Sequence, residues 1–488
     1  MKRINIYLKI SFLLAAIIIA VACAINPVTG KRQIMLMSEA QELALGAQYD
    51  PQVMATFGEY KNDMILSFLK ERTTEMGKIS HRPNLVYHIK ILDSPVVNAF
   101  AVPGGYIYLT RGILAQLNNE AELIGVLGHE MGHITARHSA SQQTKQQLGQ
   151  MVLMGTMIVS EKLAQYASYA MQGMGLLFLK FSRDNEREAD QLGVEYSSKT
   201  GYDAHKMADF FEVLKKMSMA ESVGGVPTFL STHPDPGDRY NSVNSQATTW
   251  QDSLKLPSWK VNADEYLQMI DGIVYGEDPR QGYTEDNVFY HPALKFKFSY
   301  PSGWNVENTP TQVNFAPEDP KALMVFTLSS QKSLKAAADS TIAQLGLTVS
   351  ETGQTTVNSM PAIRVLSQQV SQDQTTGAQS VTQILSYFID YNNMFYILHG
   401  VSADTDFNTY STAFESSMKS FSILVDASKI NVKPKRILIK SVSRTGSLED
   451  AFTYYGMKQD RMQELALLNN LELTDQVQAG KLIKIIGE

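Results

Sequence analysis

Between Met37 and about Met76, apolar residues recur at helical spacing (Leu43, Leu45, Val53, Met54, Phe57, Met64, Ile65, Phe68, Leu69), which predicts amphipathic helices. Leu85 to Leu92 alternates and predicts a strand. Val96–Val102 and Tyr106–Leu109 read as two further extended segments around the turn signal Pro103-Gly104-Gly105. Helical spacing resumes at Asn119 and continues, with breaks, to about Met219. Near residue 275 the pattern changes, and short strands dominate to about Asp426: Leu294–Tyr300, Ala322–Leu328, Ala362–Val370, Val381–Asp390 and Met394–Gly400. The last two flank Tyr391-Asn392-Asn393, a hairpin turn, and Phe407, Tyr410, Phe414, Met418 and Phe421 then share one helical face. This reads as a separate α+β domain, joined by the basic linker Lys433-Pro434-Lys435-Arg436 to a final module.

Composition narrows the class. With 488 residues, two to four domains are expected. The 44% hydrophobic and 19% charged content is that of a soluble globular protein, and a net charge of −6 gives no electrostatic reason to expect nucleic acid. Lys2, Arg3 and Lys9 precede an apolar run from Ile10 to Ala22 that is short for a bilayer-spanning helix, so it reads as a secretory leader. It ends at Ala20-Val21-Ala22-Cys23, which resembles a bacterial lipobox. Cys23 is the single cysteine, hence the expected lipidation site, with plain secretion and cleavage near Ala22 as the alternative. No disulfide can form within the chain.

The chemistry concentrates in Gly128-His129-Glu130-Met131-Gly132-His133. Two histidines four apart on a helix project from one face, so both can reach one Zn²⁺, and Glu130 beside them can take a proton from the attacking water. Asn119 and Glu122 form a capping-box-like start to this helix. Gly125, Gly128 and Gly132 fall on one side of it, where a smooth face would let another backbone approach closely. A His-Glu-x-x-His arises by chance in roughly one such chain per hundred. The third ligand raises its weight. In Ser182-Arg183-Asp184-Asn185-Glu186-Arg187-Glu188-Ala189-Asp190, Glu186 and Asp190 share a helical face while Glu188 points away. Glu186 completes a His₂Glu site with an open fourth position, and Asp190 can accept the N–H of a ligand histidine. A charged solvated face is the bland alternative. His138, five residues past His133, is assigned a structural role. Leu148 to Leu179, rich in methionine, is expected to supply helices roofing the cleft.

His129-Glu130-x-x-His133 followed by Glu186-x-x-Ala189-Asp190 resembles the forty-eighth metallopeptidase family, which includes the HtpX-type and CAAX prenyl proteases, the BepA-like periplasmic branch being nearest. The resemblance covers roughly residues 26–244 and implies a gluzincin fold hydrolysing peptide bonds in the envelope. Asn98, Ala99, Phe100 and Ala101, leading into Val102-Pro103-Gly104-Gly105, look like the family's edge strand, which would bind an extended substrate through its backbone. A plain hairpin is the alternative. His233-Pro234-Asp235-Pro236-Gly237-Asp238-Arg239 looks like the family's loop in which a histidine approaches the zinc. His233 is thus a candidate reversible fourth ligand, and Arg239 and Tyr240 are candidates for stabilising an oxyanion, against a surface turn with no catalytic part.

Phe289-Tyr290-His291-Pro292 and Phe298-Ser299-Tyr300-Pro301-Ser302-Gly303-Trp304 resemble PsbP-like domains. Residues Arg436 to Ile486 are similar to a LysM domain. Ile437-Leu438-Ile439 and Gly480–Ile485 would be its strands, Leu448–Tyr455 and Met462–Asn469 its helices, and Thr445-Gly446-Ser447 replaces the usual Gly-Asp-Thr. The expected architecture is α+β: a leader of lipoprotein type (1–23), a mainly helical gluzincin-type zinc metallopeptidase domain (24–275), a PsbP-like α+β domain (276–428) and a LysM-like module (429–488). The expected function is zinc-dependent endopeptidase action on envelope polypeptides, with one Zn²⁺ per chain, membrane attachment through a lipid anchor (outer membrane favoured) and peptidoglycan as a further candidate partner. The rivals are an assembly factor or chaperone with little proteolysis, and a peptidoglycan-binding anchor.

Overall fold

The computed structural model describes residues 23–144, 181–219, 228–234, 237–319, 321–372 and 379–488. The leader before Cys23 and the Leu148–Leu179 stretch lie outside the described residues. After a short hairpin of β1 (Cys23–Ile25) and β2 (Arg32–Ile34), Ser38 opens helix α1 (Glu39–Phe57) with a capping box to Gln41, and Asn62 caps α2 (Asp63–Ile79). Strands β3 (His88–Leu92), β4 (Ala99–Val102) and β5 (Tyr106–Thr110) form a three-stranded sheet in the order β3-β5-β4, which leaves β4 at an edge. Gly104 and Gly105 join β4 to β5 with φ of +83° and +93°, a region that side chains rarely adopt.

Short α3 (Arg111–Gln116) leads to α4 (Glu120–Thr135), the helix bearing His129, Glu130 and His133. Asn119 starts it: its Oδ1 accepts from the Glu122 amide at 2.8 Å and its Nδ2 donates to the Glu122 carboxylate at 2.7 Å. Every residue of α4 is buried. Around it lie α5 (Arg183–Lys199), α6 (His205–Met219), α7 (Thr228–Thr232), α8 (Arg239–Leu254) and α9 (Ala263–Ile270). Among the described residues, no helix is long and apolar enough to cross a membrane.

The middle region carries two sheets. β6 (Tyr283–Glu285), β7 (Val288–His291) and β8 (Phe296–Ser299) are joined by β16 (Ser422–Ile423) in the order β16-β8-β7-β6. The larger, antiparallel sheet comprises β9 (Asn305–Asn308), β10 (Gln312–Ala316), β11 (Ala322–Ser329), β12 (Thr348–Val357), β13 (Met360–Gln372), β14 (Gln379–Tyr391) and β15 (Met394–Ala403), ordered β12-β13-β14-β15-β11-β10-β9. One face packs Phe388 and Ile397 against Ala337 and Ala338 of α10 (Leu334–Leu345). The other packs Tyr387 and Leu398 against Phe414 and Met418 of α11 (Asp404–Lys419). The expected hairpin turn is there, with Asn392 and Asn393 at φ +53° and +60°. β12 escaped the sequence reading because it exposes both faces along nearly its whole length, so no apolar alternation marks it.

After α12 (Ala427–Ile430), the C-terminal segment forms β17 (Arg436–Ser441), β18 (Gly446–Ser447), α13 (Leu448–Tyr454), α14 (Met462–Leu468), β19 (Gln476–Val477) and β20 (Leu482–Gly487), with β17 and β20 antiparallel. This segment shares one apolar cluster with the helices around α4. The backbone of residues 272–275 pairs with it: Gly272 N donates to Ile437 O, Ile437 N to Ile273 O and Tyr275 N to Lys435 O, at 2.8 to 2.9 Å. Lys484, fully buried, donates to the carbonyls of Ala115, Gln116 and Leu117 at 2.9, 3.0 and 2.9 Å, the end of α3 just before α4 begins. Burial pushes the pKa of the Lys484 ammonium down and that of the Glu122 carboxyl up, and each group's charge pulls the other part of the way back. Lys484→Met leaves these buried carbonyls without their ammonium, and urea unfolding should show a loss of about 3 kcal/mol, far above the few tenths expected of an exposed lysine.

Candidate metal centre

Glycines decide how α4 meets α5. A Cβ on Gly128 would lie 3.0 Å from Gly193 O and 3.1 Å from Gly193 Cα, and one on Gly132 would lie 3.1 Å from Ala189 Cα. The two helices therefore touch backbone to backbone. That contact brings Glu186, on the first turn of α5, over the two histidines of α4.

His129, His133, Glu186 and His233 converge, each offering one ligand atom, all within 4.8 Å of one another and all buried. The His129 and His133 Nε2 atoms are 3.1 Å apart, His233 Nδ1 lies 3.2 Å from both His129 Nε2 and Glu186 Oε1, and His133 Nε2 lies 3.6 Å from Glu186 Oε1. Ligands at Zn–N and Zn–O lengths around a tetrahedron stand about 3.3 Å apart, so these edges fit that ion. The two Nε2 atoms face one another, which is a favourable arrangement when a cation lies between their lone pairs. Burial, with the neighbouring imidazoles of His129, His138 and His233, pushes the pKa of His133 well below the usual histidine value. Burial opposes the charge on Glu186, but His233, His129 and Arg239 outweigh it and hold its pKa below the usual range.

Glu130 is fully buried, and neither carboxylate oxygen has a hydrogen-bond partner among the described residues. Its closest charged neighbour is His233, with Nε2 at 3.6 Å. Burial raises its pKa, partly offset by His233 and His129. A carboxyl so placed is suited to accept a proton.

Behind the ligands, Asp190 Oδ1 lies 2.9 Å from His129 Nδ1. Arg239 grips Asp190 through Nε to Oδ2 at 2.8 Å and Nη2 to Oδ1 at 2.6 Å, and lies over the Phe211 ring at 3.7 Å. Arg239, expected to face an oxyanion, thus has its guanidinium engaged in orienting the outer carboxylate, and Tyr240 is 40% exposed. Asn98 is fully buried just before β4, with neither side-chain atom partnered among the described residues, and Ala99, Phe100 and Ala101 form the edge strand beside it. The Val97 carbonyl, one residue earlier, accepts from Phe229 N of α7.

Two residues at the site were missed. His138 Nδ1 lies 2.9 Å from His133 Nδ1, and its Nε2 lies 3.0 Å from Glu188 Oε2. On a continuous helix His138 would face away. The helix stops at Thr135, and Arg137, at φ +58°, turns the chain back.

A helix that presents two histidines and a buried carboxylate to one point, with a third ligand from a second helix packed against it, defines the class of HExxH metallopeptidases. Residues 67–247 match Peptidase family M48. The chain is 26% identical over 219 residues to the beta-barrel assembly-enhancing protease of Yersinia pestis, covering 43% of this chain and 45% of that protein. It is 32% identical over 180 residues to the mitochondrial metalloendopeptidase OMA1 of Arabidopsis thaliana, covering 36% and 35%. The chain spans under half the length of the curated relatives it matches. Among solved structures, a cyanobacterial PsbP from Synechocystis aligns with 29% of this chain and 91% of its own at 13% identity and a TM-score of 0.22, too slight a likeness to assign the middle region.

Glu186→Ala removes the one ligand that α5 contributes. Elemental analysis after dialysis should find bound zinc reduced from about one per chain to below about a tenth, with the helical circular dichroism retained.

Proposed function

We propose that this protein is a zinc-dependent endopeptidase of the bacterial cell envelope that hydrolyses peptide bonds in envelope proteins as part of their quality control. The observation that carries the reading is Glu130: a buried carboxylate with no hydrogen-bond partner among the described residues, set beside four converging ligand groups. A scaffold gains nothing from keeping such a group, whereas hydrolysis needs a proton acceptor there. A bound zinc ion would supply Lewis-acid polarisation at the cleaved carbonyl. The rest falls to the chain: His129, His133 and Glu186 hold the ion, Asp190 and Arg239 fix the His129 ring, Glu130 takes the proton from water and passes it to the leaving amine, and the β4 edge receives the substrate backbone.

His233 fills the fourth corner through Nδ1, and its Nε2 faces Glu130. It follows α7, whose Phe229 amide donates to the Val97 carbonyl beside the β4 edge. We read this as a resting, closed state. One displacement of α7 would free both the fourth ligand position and the approach to the edge strand. This arrangement also accommodates an assembly-factor role in which proteolysis is held low until a client arrives. The envelope location and the lipid anchor at Cys23 rest on the leader pattern, and peptidoglycan contact by the C-terminal segment rests on resemblance alone.

Glu130→Gln keeps shape and zinc while removing the base, so cleavage of an unfolded test protein should fall by a factor of about 10² to 10⁴. Cleavage at the wild-type rate would rule the catalytic assignment out. His233→Ala should raise basal cleavage on the order of tenfold, the reciprocal of the open fraction in the wild type, measured by peptide fluorescence at saturating zinc.

A further inference from the structure

Histidine ligands work only if the ring is aimed and the correct nitrogen is left unprotonated. For His129 the partner is direct, since Asp190 lies 2.9 Å from Nδ1. Among the described residues, His133 Nδ1 has no such carboxylate. Its Nδ1 meets the Nδ1 of another imidazole, His138, at 2.9 Å, and the far nitrogen of that ring meets Glu188 at 3.0 Å. We propose that Glu188 and His138 are positioning residues for His133, forming a carboxylate–imidazole–imidazole chain that fixes the tautomer and direction of this metal ligand.

The protons have only one consistent arrangement once His133 offers the lone pair of Nε2 to the metal corner. His133 then carries its proton on Nδ1 and donates it to His138 Nδ1. His138 must accept there, so it carries its own proton on Nε2, and that N–H donates to Glu188 Oε2. Each link thus dictates the next. Phe181 stacks on His133 with ring centroids 4.0 Å apart and planes inclined by 21°, which restrains tilt while the chain restrains rotation in the ring plane.

The chain depends on a turn that is itself held in place. Arg137 is in the left-handed region at φ +58°, a conformation costing a non-glycine residue of the order of 1 kcal/mol. Its side chain is anchored, with Nε donating to Glu42 Oε2 at 2.8 Å and Nη2 to Met37 O at 3.0 Å. Glu42, buried on α1, also accepts from Arg82 Nη1 at 2.9 Å. The same turn would reverse the chain with a small residue at 138. The buried imidazole, together with a carboxylate aimed at it from α5, points to a role beyond filling space.

The proposal rests on the metal-site reading, so the test begins with zinc affinity of the full-length wild-type chain, measured by competition with a chelating dye. Failure of the wild type to bind zinc would sink the metal site itself and the positioning chain with it. Given wild-type binding, His138→Phe keeps an aromatic ring but removes both nitrogens, and zinc affinity should fall by a factor of about 10 to 100. His138→Asn puts a carbonyl oxygen where Nδ1 was and should recover most of that loss. A packing role predicts the opposite order, with Phe better than Asn. Thermal melts of the zinc-free proteins identify a variant that fails to fold. In that case the partly exposed Glu188 decides, because Glu188→Gln can still accept the His138 N–H and should bind zinc more tightly than Glu188→Ala. Equal affinity of wild type, Glu188→Gln and Glu188→Ala would overturn the proposal. In the zinc-loaded wild type, two-dimensional imidazole ¹⁵N spectra should show His133 protonated at Nδ1 and His138 at Nε2, and the reverse tautomer at His138 would also overturn it.

Discussion

The approach of α4 to α5 is the constraint on which the site depends. Gly128, Gly132 and Gly193 remove the side chains that would otherwise separate these helices. Each glycine inside a helix costs about 1 kcal/mol against alanine, a cost offset by backbone contact along a fully buried helix. Because the two backbones touch, a carboxylate on the first turn of α5 reaches the imidazoles of α4, and Asp190 and Glu188, further along α5, reach the outer nitrogens of His129 and of His138. One interhelical distance therefore sets the ligand and the two carboxylates behind the histidines.

The electrostatics follow from that enclosure. Two carboxylates and three imidazoles share a space closed to solvent, where an uncompensated charge is costly. The cluster meets this by pairing. Arg239 neutralises Asp190, and His233 lies between Glu186 and Glu130, its pKa raised by both carboxylates against the opposing effect of burial. Glu130, with His233 Nε2 at 3.6 Å, is left without a hydrogen bond to either carboxylate oxygen among the described residues.

The C-terminal segment bears on the site through the turn that launches α4. Lys484 gathers three carbonyls at the end of α3, and Glu122, near it, secures Asn118 and Asn119 at the start of α4. A segment separated in sequence by the whole middle region thus contributes to the footing of the metal-bearing helix. Such a docked surface is an element of the fold around α4, whatever further partner the segment has.

Periodicity and local motifs carried far in this chain. The two N-terminal helices, the β4–β5 hairpin, the asparagine turn before β15, the cap at Asn119 and the HExxH helix all arise from interactions within a few residues, so they were legible. Glu186 and Asp190 were legible too, because a shared helical face is a local property, and only their meeting with α4 needed coordinates. The polar strand β12 left no pattern, since neither of its faces is buried. The contact of His138 with His133 had no sequence signal, because a single left-handed residue, Arg137, stabilised by Glu42 from a distant helix, redirects the chain there. Arg239 and Lys484 took their roles from partners 49 and 367 to 369 residues away. The sequence determined which groups could bind a metal and accept a proton, since residue type and helical spacing encode both. Only tertiary structure decided which groups orient the others and whether the fourth corner is filled, because those depend on contacts between elements that no local pattern specifies.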